Sequence, residues 1–154
     1  SIADLMYECK DIMATKAIED NIQIRVESPE GLPLLDADRD KVKQVLLNLL
    51  SNAIKYNRPN GTVMLRAEAS ESEMTIFIQD TGVGIPDESL PHLFEKFFRV
   101  REHESRVAGT GLGLSICKQI IYGHGGRIEV KSKIGVGTVF SIFLPRYSKT
   151  QPVP

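Results

Sequence analysis

The nine residues NLLSNAIKY at positions 48–56 decide how the chain is read. Extended back to Asp38, the segment DRDKVKQVLLNLLSNAIKY repeats apolar residues at three- and four-residue spacing, which predicts a helix capped by Asp38, running to about Tyr56 and ended by NRPNG. On a wheel that turns about 100° per residue, Lys41, Gln44, Asn48, Ser51, Asn52 and Lys55 gather on one side, with apolar residues around most of the rest. Taken alone, that stripe reads first as the solvated side of a core helix. The alternative is that Asn48, Asn52 and Lys55 project together into a cleft. A carboxamide oxygen suits Mg2+, a hard ion that shares its shell between protein oxygens, phosphates and water, and a lysine offers charge to the phosphates.

Working outward, Ile2, Leu5, Met6, Cys9, Ile12 and Met13 follow helical spacing and predict a first helix over about 2–18. IQIRVE (22–27) alternates like a half-buried strand, and SPEGLP punctuates it. TVMLRAEAS (62–70) and EMTIFIQD (73–80) read as an antiparallel pair. The following DTGVGIPD leads into LPHLFEKFFRVREHESRVA (90–108), which fits neither period, and a connection this long is usually functional or mobile. GTGLGLSICKQIIYGHGG reads as a glycine loop that opens a helix and closes on Gly125 and Gly126. RIEVKS (127–132) and TVFSIFLP (138–145) form a hairpin turning at KIGVG, and 148–154 is a polar tail. The order predicts an α+β fold in one domain, a two-layer α/β sandwich whose mixed, mostly antiparallel sheet carries its helices on one face.

The 154 residues are 42% hydrophobic and 25% charged, enough to bury a core without staples. Nineteen basic and twenty acidic residues leave a net charge of −1, so no global field draws in nucleic acid or an anionic membrane. Cys9 and Cys117 form no CxxC and give no zinc spacing with His92, His103 or His124; they read as reduced thiols of a cytosolic protein. No apolar run reaches the roughly 18 residues needed to span a bilayer, and no signal-peptide order opens the chain. No direct membrane contact is expected of these residues, although a parent protein could be membrane-anchored.

Two further segments bear on the cleft. In DTGVGIP, Asp80 ends a strand, and Gly82 and Gly84 bracket a turn where backbone can approach a ligand closely. A buried carboxylate there needs a donor, and an adenine exocyclic amine is one; the plain reading is an Asx-type turn after a strand. In GTGLGLS (109–115), alternate glycines before a helix can present several amides to an anion at the helix N-terminus. Neither the GxxxxGK[ST] P-loop nor the GxGxxG dinucleotide motif is present, so any phosphate binding uses another architecture.

In this order and spacing NLLSNAIKY, DTGVGIP, FEKFFR, GTGLGLS and GVGTVF resemble the N box, the F box and the three glycine-rich boxes of the ATP-binding catalytic domain of sensor histidine kinases. The resemblance covers about 4–146 and implies the α/β sandwich shared with gyrase, heat-shock chaperone and mismatch-repair ATPases. It implies that Asn52 ligates Mg2+, that Asn48 and Lys55 lie near the phosphates of ATP, and that Tyr56 lies close to the nucleotide. Asp80 would accept from the adenine amine in a pocket shaped by Gly82, Gly84 and Ile85, with Thr138 helping through water. Gly109, Thr110, Gly111, Leu112, Gly113 and Leu114 would cradle the phosphates, and about 86–108 would form a lid over the site, within a catalytic domain of 1–147. For Arg99 two readings stand level: a guanidinium on the γ-phosphate, or a surface arginine beside Phe94, Phe97 and Phe98, which read as packing residues.

The ATPase relatives of that family place a glutamate, a general base for water, where this chain has Asn48. An amide cannot take that proton, so the resemblance implies transfer of the γ-phosphoryl to an imidazole nitrogen rather than hydrolysis, and onward signalling to a response regulator. HESR (103–106) is similar to the start of the family's phosphoacceptor segment but lacks the following Thr-Pro or Asn-Pro and a helical hairpin. His103 and His92 therefore read as solvated lid residues, and His124 as a partly positive ring at a helix C-terminus. The acceptor histidine is expected on a separate dimerisation and phosphotransfer domain of the same parent. A water-using ATPase and a non-catalytic nucleotide-sensing module are the alternatives.

Overall fold

The computed structural model describes residues 1–100 and 113–146. Along the chain these form α1 (Ile2–Glu19), β1 (Gln23–Glu27), α2 (Arg39–Lys55), β2 (Thr62–Ala69), β3 (Glu73–Asp80), α3 (Gly113–Gly123), β4 (Arg127–Lys133) and β5 (Gly137–Pro145), with a turn of 3-10 helix at Leu90–His92. The expected elements are all present among the described residues, with ends within two residues of the expected ones. The polar tail lies outside them.

Helix α2 starts at Asp38 because the first amides of a helix lack intrahelical partners: the Asp38 carboxylate accepts from the Lys41 N–H at 3.1 Å. Its Val42, Val45, Leu46, Leu49, Leu50, Ala53 and Ile54 are buried, the three- and four-residue spacing seen in the sequence. In α1 the buried residues are Ile2, Leu5, Met6, Cys9 and Ala17, and Ser1 caps the helix by accepting from the Asp4 N–H at 3.3 Å. Ile12 departs from the expected stripe and is 49% exposed. The apolar face drifts round the helix through Cys9, Met13 and Ala17, which leaves Ile12 at its edge.

The strand order is β1-β2-β3-β5-β4, with β1 parallel to β2 and the other neighbours antiparallel. A parallel pair needs a crossover, and α2 supplies it between β1 and β2. The register lines up rows of side chains across the sheet: Ala67, Ile76, Ile142 and Ile128, then Leu65, Ile78, Phe140 and Val130. These rows face the helices, where Leu46, Leu49, Leu50 and Ile54 of α2 fill the space against them. Each such side chain contributes about 1.5–3 kcal/mol on burial. On the other face Arg66 lies 4.2 Å from the Phe77 ring centroid and Arg127 3.8 Å from that of Phe143, so half-buried aromatics are roofed by cations. The last row of the buried face is Val63, Asp80 and Thr138, and there the apolar pattern gives way to polar groups.

Candidate functional site

The polar stripe on α2 splits in two. Lys41 and Gln44, in its first turns, are exposed, whereas Asn48, Ser51, Asn52, Lys55 and the cap residue Tyr56 line a cavity of about 350 Å³. The helix thus forms the floor of a cleft only along its last turns. Asp80, Thr138 and Phe140 wall the cavity from the sheet, Gly84 and Ile85 from the loop after β3, and Gly113 and Leu114 from the start of α3. Its size suits a small organic ligand.

Asp80 ends β3 on the helix-facing side, so the fold half-buries a carboxylate. Its Oδ1 accepts from the Gly82 N–H at 2.8 Å and from the Thr138 N–H at 3.2 Å. Burial pushes the Asp80 carboxyl up to about 6, and these two amides offset part of that rise. Both amides go to one oxygen of a group that lines the cavity, which leaves the other without either of these backbone donors.

The loop after β3 is pressed between the end of α2 and the β4–β5 turn. The Val83 N–H donates to the Tyr56 carbonyl at 3.1 Å, and the Gly135 N–H to the Val83 carbonyl at 3.0 Å. A Cβ on Gly82 would lie 2.3 Å from the Tyr56 carbonyl oxygen. Gly84 has φ +78°, and a Cβ there would lie 2.3 Å from the Lys133 carbonyl oxygen. Only glycine fits either position without movement.

Three residues that the sequence does not place at the site hold this arrangement. The Arg58 guanidinium donates to the carbonyls of Gly82, at 3.4 Å, and Gly135, tying the loop to the hairpin. Ser132 Oγ accepts from the Ile85 N–H at 2.8 Å and lies 2.7 Å from Thr138 Oγ1. Thr138 thus places a backbone amide on Asp80 and a hydroxyl beside Ser132. Cys117 of α3 accepts from Asn48 Nδ2 at 3.7 Å. Arg58 sits in NRPNG, which reads only as a helix stop, and the other two reach the site through tertiary contacts.

At the rim, Phe98 and Arg99 line the cavity, and Phe94 packs edge-on against Phe140 with centroids 6.3 Å apart. Phe97 does not pack as expected: it is 71% exposed with φ +64°, and that left-handed backbone turns its side chain outward. His92 is exposed and pairs with Glu95 at 2.7 Å, as a solvated residue would. His124 differs from the partly positive ring expected. Its Nδ1 donates to the Ile120 carbonyl at 2.8 Å while its Nε2 accepts from the Asp38 N–H at 3.1 Å, an arrangement open only to the neutral ring. Gly109, Thr110, Gly111, Leu112 and His103 lie outside the described residues, as does the lid expectation beyond residue 100.

The cavity has two chemically distinct ends. Tyr56, whose carbonyl meets the loop after β3, marks the Asp80 end. Asn48 marks the other, since a Cβ on Gly113 would lie 4.0 Å from its Cγ. Eight residues of helix separate them by about 12 Å. The Gly113 end carries the N-terminus of α3, whose dipole favours an anion, and Lys55 and Arg99 add positive charge to the cavity. Among the described residues no group of three or more His, Cys, Asp or Glu could hold a metal ion, and no helix is long and apolar enough to cross a membrane. Asn52 lines the cavity with a neutral amide oxygen, a donor type that hard cations accept.

Residues 37–148 match the family described as histidine kinase-, DNA gyrase B-, and HSP90-like ATPase. Over 131 residues the chain is 42% identical to the adaptive-response sensory kinase SasA of Synechococcus elongatus, a match covering 84% of this chain and 34% of that protein. The chain therefore spans about a third of the length of that relative. The catalytic domain of histidine kinase ThkA superposes with a TM-score of 0.82 at 32% identity, covering 94% of both chains. Histidine kinase ThkA in complex with response regulator protein TrrA superposes with a TM-score of 0.79 at 30% identity, covering 96% of this chain and 41% of that one.

Proposed function

The chain belongs to the histidine kinase-, DNA gyrase B- and HSP90-like ATPase family, as an ATP-binding catalytic domain of the sensor histidine kinase kind, and from that premise we propose how its site works. Mg-ATP lies along the last turns of α2, adenine at the Asp80 end and phosphates at the Asn48 end. Its γ-phosphoryl passes to a histidine on a separate dimerisation domain of the parent protein, and onward to a response regulator on the cytoplasmic side. The observation that carries this reading is the polarity of the cavity, a half-buried carboxylate at the Tyr56 end of the α2 floor and the α3 N-terminus at the Asn48 end.

Asp80 accepts from the adenine amine with the oxygen that Gly82 and Thr138 leave to the cavity, and Ile85 and Phe140 offer apolar surface to the base. In this proposal Lys55 and Arg99, which line the cavity, offer positive charge to the phosphates, and Gly113 and Leu114 begin the helix whose first amides offer them hydrogen bonds. Asn52, with Asn48 beside it, offers the amide oxygen that fits Mg2+; when bound, the ion screens phosphate charge during transfer. Gly109, Thr110, Gly111 and Leu112 extend the phosphate cradle in this proposal.

Phosphoryl transfer needs positioning more than covalent help from the protein, and a neutral imidazole nitrogen is already a nucleophile. Asn48 has no lone pair basic enough to take a proton from water, which favours transfer over hydrolysis. In the parent protein, labelled ATP with Mg2+ should place label on a histidine of the dimerisation domain, and Asn52→Ala should reduce it sharply. Bound nucleotide with no labelled histidine would instead indicate a nucleotide-sensing module, and phosphate release without an acceptor would indicate a water-using ATPase.

A further inference from the structure

Asn48 is a two-sided group: its oxygen can face a cation or a donor, its nitrogen a phosphate, and the two differ by a flip that changes no shape. What decides between them lies on α3. Asn48 Nδ2 donates to Cys117 Sγ at 3.7 Å, and the Cys117 S–H donates to the Val45 carbonyl at 3.9 Å, one turn before Asn48 on α2. The second bond matters as much as the first. Had the thiol proton been uncommitted, it could equally donate to the Asn48 oxygen, and the thiol would accept either flip. With the proton given to Val45, the sulfur has only lone pairs to offer, and only an N–H can meet them.

Cys117 is fully buried, and burial pushes its thiol up to about 11, so the proton that this arrangement needs is kept through the neutral range. Gly113, one turn earlier on α3, comes within 4.0 Å of the Asn48 Cγ at its own Cβ position, so the same helix that opens the anion-facing end also backs the carboxamide.

We propose that Cys117 is a positioning residue for phosphoryl transfer, its thiol holding the Asn48 carboxamide with nitrogen toward α3 and oxygen toward the phosphate end of the cavity. The inference rests on the reading of Asn48 given above. It acts at the Asn48 end of the cavity: the hydrogen bonds of Cys117 go to Asn48 and Val45, not to Asp80, so base recognition should be untouched.

The test uses the full-length parent protein carrying Cys117→Val, which keeps an apolar side chain at the helix crossing and removes both sulfur bonds, and Cys117→Ser, whose hydroxyl can accept from Asn48 and donate to Val45. Cys117→Ala serves if the valine variant is poorly folded. The valine variant should lose about three- to tenfold in kcat for histidine phosphorylation with KM for ATP unchanged, and serine should recover most of that loss. A second readout is independent of turnover: the side-chain amide pair of Asn48 in a proton–nitrogen correlation spectrum, identified by its disappearance in Asn48→Ala, should shift toward the solvent-averaged position in valine and stay in place in serine. A valine variant with wild-type kcat and an unmoved amide pair, or serine and valine equally impaired, overturns the inference in favour of packing alone. If Asn48→Ala itself transfers phosphate normally, the role given to Asn48 fails, and the amide resonances still decide whether Cys117 holds it.

Discussion

Thr138 stands opposite Asp80 at the end of the β3–β5 ladder, and its backbone N–H donates to Asp80 Oδ1 at 3.2 Å. The register of two strands thereby fixes one carboxylate oxygen against the sheet. It also half-buries that carboxylate, and the burial pushes its pKa from the usual 3.8 up to about 6.

The first prediction concerns pH and nucleotide. An adenine amine needs an ionised Asp80 as acceptor, so affinity should be constant well above pH 6 and weaken as pH falls through that value, by about tenfold per unit once the acid form dominates. Titration calorimetry with an ATP analogue between pH 8 and about 5 checks this. An affinity flat across that range removes Asp80 from base recognition.

The second concerns the free domain and has the opposite sign. The folded state binds the Asp80 proton more tightly than the unfolded chain does, so ionised Asp80 costs stability above pH 6, and the cost fades as pH drops toward 3.8. The difference corresponds to about 3 kcal/mol, as an order of magnitude. Asp80→Asn keeps an oxygen for the Gly82 and Thr138 amides without a charge. It should therefore stabilise the free domain at pH 7.5 by up to about 3 kcal/mol while losing nucleotide binding, and the stability gain should shrink below pH 6. Urea unfolding of both forms at two pH values measures it.

This pair of effects shows which parts of the site can be read in a sequence. Asp80 was visible because a period-two strand ends on it and glycines follow, and the floor of the cleft because α2 keeps its spacing from Val42 to Ile54. Both are local patterns. Cys117 meets Asn48 across 69 residues and Arg58 meets Gly135 across 77, contacts that exist only once the layers have packed. Ile12 and His124 show the other limit. Periodicity says which residues share a face but not where the face drifts, and a helix terminus favours positive charge only until a specific partner, here the Asp38 N–H, claims the ring nitrogen.

The third prediction is Gly84→Ala. Its φ of +78° strains any L side chain by about 1–2 kcal/mol, and the new methyl would meet the Lys133 carbonyl at 2.3 Å, against backbone that cannot rotate away. The domain should lose at least about 2 kcal/mol of stability. Because the loop must shift to relieve the clash, nucleotide affinity should fall as well. A variant with unchanged melting temperature and affinity contradicts the geometry of this loop.

The fourth is His124→Ala. The neutral ring joins the last turn of α3, through Ile120, to the first residue of the α2 cap, through the Asp38 N–H, and the two helices that it ties flank the cavity. Removing both bonds should cost about 1–2 kcal/mol. His124→Gln, which offers an acceptor and a donor on one amide, should recover part of that. Equal losses in the two variants would reduce His124 to a packing residue.

The fifth prediction addresses the reaction class through Asn48→Glu. A carboxylate at this position, at the phosphate end of the cavity, supplies the proton acceptor that the amide lacks, and general-base help to water is worth up to about 10²–10⁴ in rate where geometry permits. Phosphate release without any histidine acceptor should rise by about tenfold or more over the wild-type chain. Transfer to the dimerisation domain should fall in the same variant. The added negative charge opposes the phosphates, and a glutamate has no N–H to place on the sulfur of Cys117, so its orientation is lost along with its neutrality. If release stays at the wild-type level while nucleotide still binds, the identity of residue 48 is not what separates transfer from hydrolysis in this fold. The distinction would then lie in how the site admits water.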